Sequence, residues 1–224
     1  MAEHKNQHIG TTIASAHQIA SPDAMRRTPK QLRSRRMVNA IVDAARTILH
    51  NEGREALSTT SLELVSGVSK ASIYQYFPNL EAVVAEVFHD VIRQRITDKS
   101  ALPSNEAINL RQFVELLVDS ALDLHKLLLS LDRGFYRSYS GYYDLWQAFD
   151  EVNDGTDVSV PFLKKQLERC TDYQTGADTR LHAYALGRTI ELTTYAMLRD
   201  DPDFLSNPKF RHILIGVAMA TVSS

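Results

Sequence analysis

The sequence predicts an all-α chain, with a small N-terminal head followed by a larger helical body. Three observations carry that reading. Apolar residues recur at steps of three and four from Val38 to Val222, the signature of one buried helix face. No segment sustains the strict alternation of a half-buried strand. Glycine, proline, asparagine and small hydroxyl residues fall between the periodic stretches, where helices stop and the next ones are capped.

Taken in order, residues 1–27 are polar and poor in bulky apolar side chains, and are expected to form a disordered arm. Thr28-Pro29 then reads as a helix start, with Pro29 at the first position, where its missing N–H costs nothing. Val38, Ile41, Val42, Ala45, Ile48 and Leu49 stripe this first helix, and Gly53 ends it. Ser58, Thr59 or Thr60 can cap a short second helix carrying Leu62 and Val65, which Gly67 closes. Ser69 can cap a third, from Lys70 to about Tyr76. Asn79 can cap a longer fourth, with Val83, Val84, Val87, Phe88, Val91 and Ile92 inward. The short turn Gly67-Val68-Ser69 between the second and third helices describes a helix-turn-helix, in a head spanning 28–95.

The body, 104–222, stays helical. Phe113, Leu116, Leu117, Ser120, Leu124 and Leu127 form one stripe, and Phe135, Tyr139, Tyr142, Trp146 and Phe149 another, expected on a single helix face. After VNDGTDVSVP comes a short helix from Pro161 to Cys170, then a long one from Leu181 to Arg199 and a last one from Phe210 to about Val222.

Composition excludes several classes. A lone cysteine, Cys170, leaves no internal disulfide framework and suits a reducing cytoplasm. No apolar run approaches the eighteen or so residues of a membrane span, and no secretory leader is expected. The eight histidines lack metal-ligand spacing, Asp200–Asp203 lacks the glycine of a calcium loop, and no glycine-rich phosphate loop occurs. No catalytic residue, metal or cofactor is therefore expected. The formal net charge is only −2, but Arg26, Arg27, Lys30, Arg33, Arg35 and Arg36 cluster without an acid among them. Such a cluster suits contact with a polyanion.

The second helix of a helix-turn-helix enters the DNA major groove with its N-terminal residues at the base edges. Ser69, Lys70, Ala71 and Ser72 are short or flexible groups at that end; Lys70 can reach guanine or phosphate, and Ala71 a thymine methyl. Ile73 and Phe77 are the inward anchors, while Tyr74 and Tyr76 are expected on other faces, hydrogen-bonding the DNA backbone. The run RMVNAIVDAARTILHNEG followed by LSTTSLELVSGVSKASIYQYFPNLEAV resembles the DNA-binding domain of the TetR family of transcriptional regulators. Ala44-Ala45, Gly53, Thr59, Gly67-Val68-Ser69 and Tyr74-x-Tyr76-Phe77 fall at that family's spacing. The resemblance implies contacts to double-stranded DNA from Arg35, Thr59, Ser69, Lys70, Ala71, Ser72, Tyr74 and Tyr76. It also implies a homodimer on a palindromic operator, most often a repressor, released when a small molecule enters the body. The chain departs from the pattern at Glu63, where a small alanine is usual, at Leu80, where lysine is frequent, and at Ala71, often glycine. One missing lysine lowers the salt dependence of DNA binding by about one unit.

In the body, Leu181, Tyr184, Arg188, Leu192 and Tyr195 stripe the penultimate helix, and Ile213 and Val217 the last. The resemblance implies that these helices pair with their copies in the dimer; an intramolecular hairpin has the same periodicity. Phe135, Tyr139, Tyr142, Trp146 and Phe149, with His125, either line a ligand pocket or fill the core. A second functional reading is a protein–protein adaptor that keeps the fold without binding DNA.

Overall fold

The computed structural model describes residues 21–98, 108–143, 145–153, 158–176 and 178–222. Every regular element among them is helical. The head comprises α1 (Leu32–Asn51), α2 (Thr59–Ser66), α3 (Lys70–Tyr76) and α4 (Leu80–Thr97). The body comprises α5 (Leu110–Leu131), α6 (Arg133–Tyr139), α7 (Leu145–Val152), α8 (Ser159–Leu167), α9 (Thr179–Asp200) and α10 (Pro208–Ala220). None of the helices is long and apolar enough to cross a membrane.

Local chemistry sets most boundaries. Ser58 and Ser61 form a reciprocal capping box at the start of α2. Ser69 accepts the Ser72 N–H at the start of α3, and Asn79 the Ala82 N–H at 2.9 Å at the start of α4. Gly67 ends α2 in the left-handed conformation (φ 68°), which a β-carbon would strain. The helix-turn-helix is thus written into short-range hydrogen bonds.

Packing explains where the remaining expectations fail. The first helix starts at Leu32, three residues beyond Pro29, whose carbonyl instead accepts the Arg35 Nε–H at 3.4 Å. Residues 21–27, expected in the disordered arm, are packed on the head; residues 1–20 of that arm lie outside the described residues. Pro22 is buried and Met25 meets the core. The Arg26 N–H donates to the Tyr76 carbonyl at 2.8 Å, and Asn79 Nδ2 donates to Asp23. Val65, expected inward beside Leu62, is 49% exposed, while Val68 beyond the turn packs against the core.

α4 is buried on several sides because it closes the head and seats the body. Ala82, Val83, Val84, Ala85, Val87, Phe88, Val91 and Ile92 are all inward. Phe88 meets Phe135 of α6 with ring centroids 4.7 Å apart. The Tyr143 hydroxyl donates to the Ala85 carbonyl at 3.2 Å, and Arg54 Nε pairs with buried Asp132 at 3.1 Å. Head and body are therefore joined by both apolar and polar contacts.

The aromatic stripe of the body is not one helix face. α6 ends at Tyr139, a 3-10 turn spans Ser140–Tyr142, and α7 begins only at Leu145. Gly141 sits against the Tyr195 phenol of α9, so closely that a β-carbon there would overlap it. The chain turns around that contact, which splits the stripe.

Candidate nucleic-acid interface and body cavity

The outer face of α3 and a cavity between α4, α5, α7 and α8 are the places where the candidate residues gather. On α3 the buried side is Ile73 and Tyr76, continued by Phe77. Opposite them, Ser69, Lys70, Ala71, Tyr74 and Gln75 are exposed, and Ser72 is half-buried. This face is tied to α2 at two points. The Tyr74 and Thr59 hydroxyls share a hydrogen bond at 3.2 Å, and Lys70 Nζ donates to Thr60 Oγ1 at 3.0 Å. Both tethers use exposed polar atoms that a phosphate or base edge could take over.

Tyr76 stands apart from that group. It is 5% exposed, with the Arg27 guanidinium 4.7 Å from its ring centroid, so it supports the strap at residues 21–27 and does not present a phenol on the α3 outer face. The helix period explains the correction: Tyr76 falls three residues after inward Ile73, on the same side. Arg35 is exposed at the edge of the head, together with Arg26, Arg27, Lys30, Arg33 and Arg36.

Two residues of this region escaped the sequence reading. Glu63 accepts the Lys70 backbone N–H at 3.1 Å and so caps α3 from the preceding helix. The only signal was a carboxylate seven residues before a helix start, across a glycine turn. Gln75 is exposed on α3 and accepts from Arg27 at 3.4 Å. Its position one residue after Tyr74 was the available cue.

In the body, the six candidate ligand residues part company. Phe135 is core, its ring packed at a tilt against both Phe88 and Tyr139. Tyr139 is half-buried, and the Glu81 carboxylate of α4 beside it raises its phenol pKa. Tyr142 is exposed and lines a cavity of about 220 Å³ with His89, Ile92, Arg93 and Tyr143. The side chain of Trp146 lies outside the described residues. His125 is buried and bonded through Nδ1 to the Tyr136 hydroxyl at 2.8 Å; burial pushes its pKa down to about 4. Of the candidates with described side chains, Phe149 reaches the cavity of about 210 Å³ that Leu117, Ala121, Leu124, Leu145, Phe162 and Leu163 line with Arg95, Asp98 and Ser120.

Of the candidate dimer residues, Leu181, Tyr184, Leu192, Ile213 and Val217 are exposed, between 42% and 63%. Arg188 is half-buried and pairs with Glu191 at 2.9 Å. Tyr195 packs inward on Gly141, with the Arg199 guanidinium 5.5 Å from its ring centroid, so it belongs to the fold of the protomer. Cys170 is buried, and burial lifts its thiol to about 11, which leaves little thiolate at neutral pH. Among the described residues no group of three or more His, Cys, Asp or Glu could hold a metal.

Residues 41–87, from α1 into α4, match the family model described as bacterial regulatory proteins, tetR family. No curated protein matches the chain. Among solved structures, a TetR-family regulator from Mesorhizobium loti MAFF303099 is 21% identical, with 86% of this chain and 96% of that one aligned at a TM-score of 0.48. The regulator FadR from Bacillus subtilis, solved with stearoyl-CoA, is 20% identical over 83% of this chain and 97% of its own, at 0.47. A TetR-like regulator from Rhodococcus sp. RHA1 is 16% identical over 88% and 100%, at 0.44. With the helix-turn-helix built as above and its residues matched from Ile41 to Val87, the head of this chain carries the DNA-binding domain of the TetR family of bacterial regulatory proteins.

Proposed function

We propose that this protein is a homodimeric, cytoplasmic DNA-binding regulator, acting as a repressor that leaves a palindromic operator when a small molecule occupies the body. The observation that carries the reading is the outer face of α3, where Ser69, Lys70, Ala71 and Tyr74 stand exposed over a closed core. A helix presented in this way fits the major groove, and the surrounding arginines fit the phosphates.

Two copies are needed to place two α3 helices about one DNA turn apart, roughly 34–36 Å. Leu181 and Leu192 of α9 and Ile213 and Val217 of α10 are exposed apolar side chains, and self-association through them would take that surface out of water. Release requires a ligand that favours a different spacing of the heads; equal affinity for both shapes would shift nothing. The contacts of Asp132, Phe135 and Tyr143 with Arg54, Phe88 and Ala85 offer the route by which a change in the body would reach α4 and the head.

The test is selection of bound fragments from the source genome by purified protein, followed by footprinting at two salt concentrations. Recovery of a palindrome whose binding is lost in Tyr74→Ala supports the regulator. A folded dimer that enriches nothing, with ligand stripped by denaturation and refolding, would replace the regulator with the adaptor reading.

A further inference from the structure

The cavity of about 210 Å³ is apolar on most sides, and two charged residues, Arg95 and Asp98, take part in its lining. Arg95 stands near the C-terminal end of α4, and Asp98 is the cap residue that follows the helix. The Arg95 Nε is buried and has no hydrogen-bond partner among the described residues. The guanidinium makes one hydrogen bond, from Nη2 to Ser120 Oγ at the long distance of 3.4 Å. Two acids stand further off: Asp98 at 4.0 Å from Nη1 and Asp123 at 3.9 Å from Nη2. Both carboxylates are substantially exposed, at 49% and 74%, so water screens much of their attraction. Arg46 gives a contrast on the neighbouring turn of the head. Its Nε is likewise unpartnered, but its terminal nitrogens bind Asp90 and Gln94. Arg95 thus keeps its Nε–Nη2 edge, the fork that matches a carboxylate, almost wholly unused at the wall of an apolar space.

An unsatisfied buried N–H is costly to leave unmade, and a guanidinium repels a cationic occupant. The cavity is also smaller than the roughly 300–1,000 Å³ of drug-sized sites, so its occupant is compact. We propose that this cavity takes a compact amphipathic acid, its carboxylate on Arg95 and Ser120 and its apolar body among Leu117, Ala121, Leu124, Phe149 and Phe162. The inference rests on reading the body as the effector-binding part. It adds the chemical class of the effector and names Arg95 as the residue that selects it.

The probes are octanoate, octan-1-ol and octylamine, which share a chain and differ at the head, titrated calorimetrically into the full-length protein near pH 7. Octanoate is expected to bind once per chain and at least tenfold more tightly than either isostere. Arg95→Gln, which keeps the stem and removes the charge, should bring octanoate down to the level of octanol. Ala121→Phe, which fills the cavity, should abolish binding of all three. Equal binding of octanoate and octylamine, or an Arg95→Gln variant that binds octanoate as well as the parent, overturns the acid class while leaving the cavity as a site. Binding of no probe to a folded protein overturns the proposal at this cavity. The regulator reading is judged separately, by operator footprinting of the same preparation.

Discussion

His125 offers a quantitative check on the packing of the body. It is buried on α5, its Nδ1 lies 2.8 Å from the Tyr136 hydroxyl, and its Nε2 has no hydrogen-bond partner among the described residues. Burial lowers its pKa from 6.5 to about 4. In the unfolded chain the imidazole takes up a proton below about pH 6.5; in the native protein it resists until about pH 4. The unfolded state therefore binds more protons between those values, and stability falls as pH falls through that window. The full difference of about 2.5 units, at about 1.4 kcal/mol each, gives roughly 3 kcal/mol, of which about 2 is lost between pH 7 and pH 5. The perturbation is His125→Asn, which retains a side-chain amide for the Tyr136 hydroxyl but does not titrate. Urea unfolding of parent and variant at pH 7, 6 and 5 isolates the histidine, because every other group titrates in both. The variant starts less stable, having lost ring volume in the core. The gap should narrow by roughly 2 kcal/mol as pH falls to 5. Parallel curves would show that His125 is not held neutral by burial, and would refute the packing of α5 on α6 described above.

Further outcomes are expected at the DNA-binding face and the dimer. Lys70→Ala and Tyr74→Ala should weaken operator binding without altering the oligomer; sedimentation would detect any dissociation, and Lys70→Ala should reduce the salt slope by about one unit. Glu63→Gln keeps the cap on Lys70 while removing an anion from the DNA side, so non-specific DNA affinity should rise with the melting temperature nearly unchanged. Glu63→Ala loses the cap and should cost about 0.5–2 kcal/mol in denaturant unfolding. Leu192→Asp combined with Val217→Asp places charge on the exposed α9–α10 face and should yield folded monomers by light scattering. An intact dimer would assign that face another role.

The head was legible because its signals are local. Ser58, Ser69, Asn79 and Gly67 act within one turn of where they stand, and the observed caps follow from residue type and spacing. Tyr76 was misplaced because its neighbours Tyr74 and Gln75 are exposed; only the period from Ile73 and the packing of residues 21–27 set it inward. Pro29 failed as a helix start for a similar reason. A proline permits a first turn but does not demand one, and its carbonyl found Arg35.

By itself, the sequence determined the all-α class, the helix-turn-helix and the order of the helices, since periodicity and capping are properties of neighbouring residues. Tertiary structure decided which polar groups lack partners and which apolar groups enclose space. The break of the aromatic stripe depends on Tyr195, more than fifty residues from Gly141 along the chain. The cavity needs Arg95, Ser120, Phe149 and Phe162 from four different helices. Such sites arise where distant segments meet, and no local pattern records that meeting.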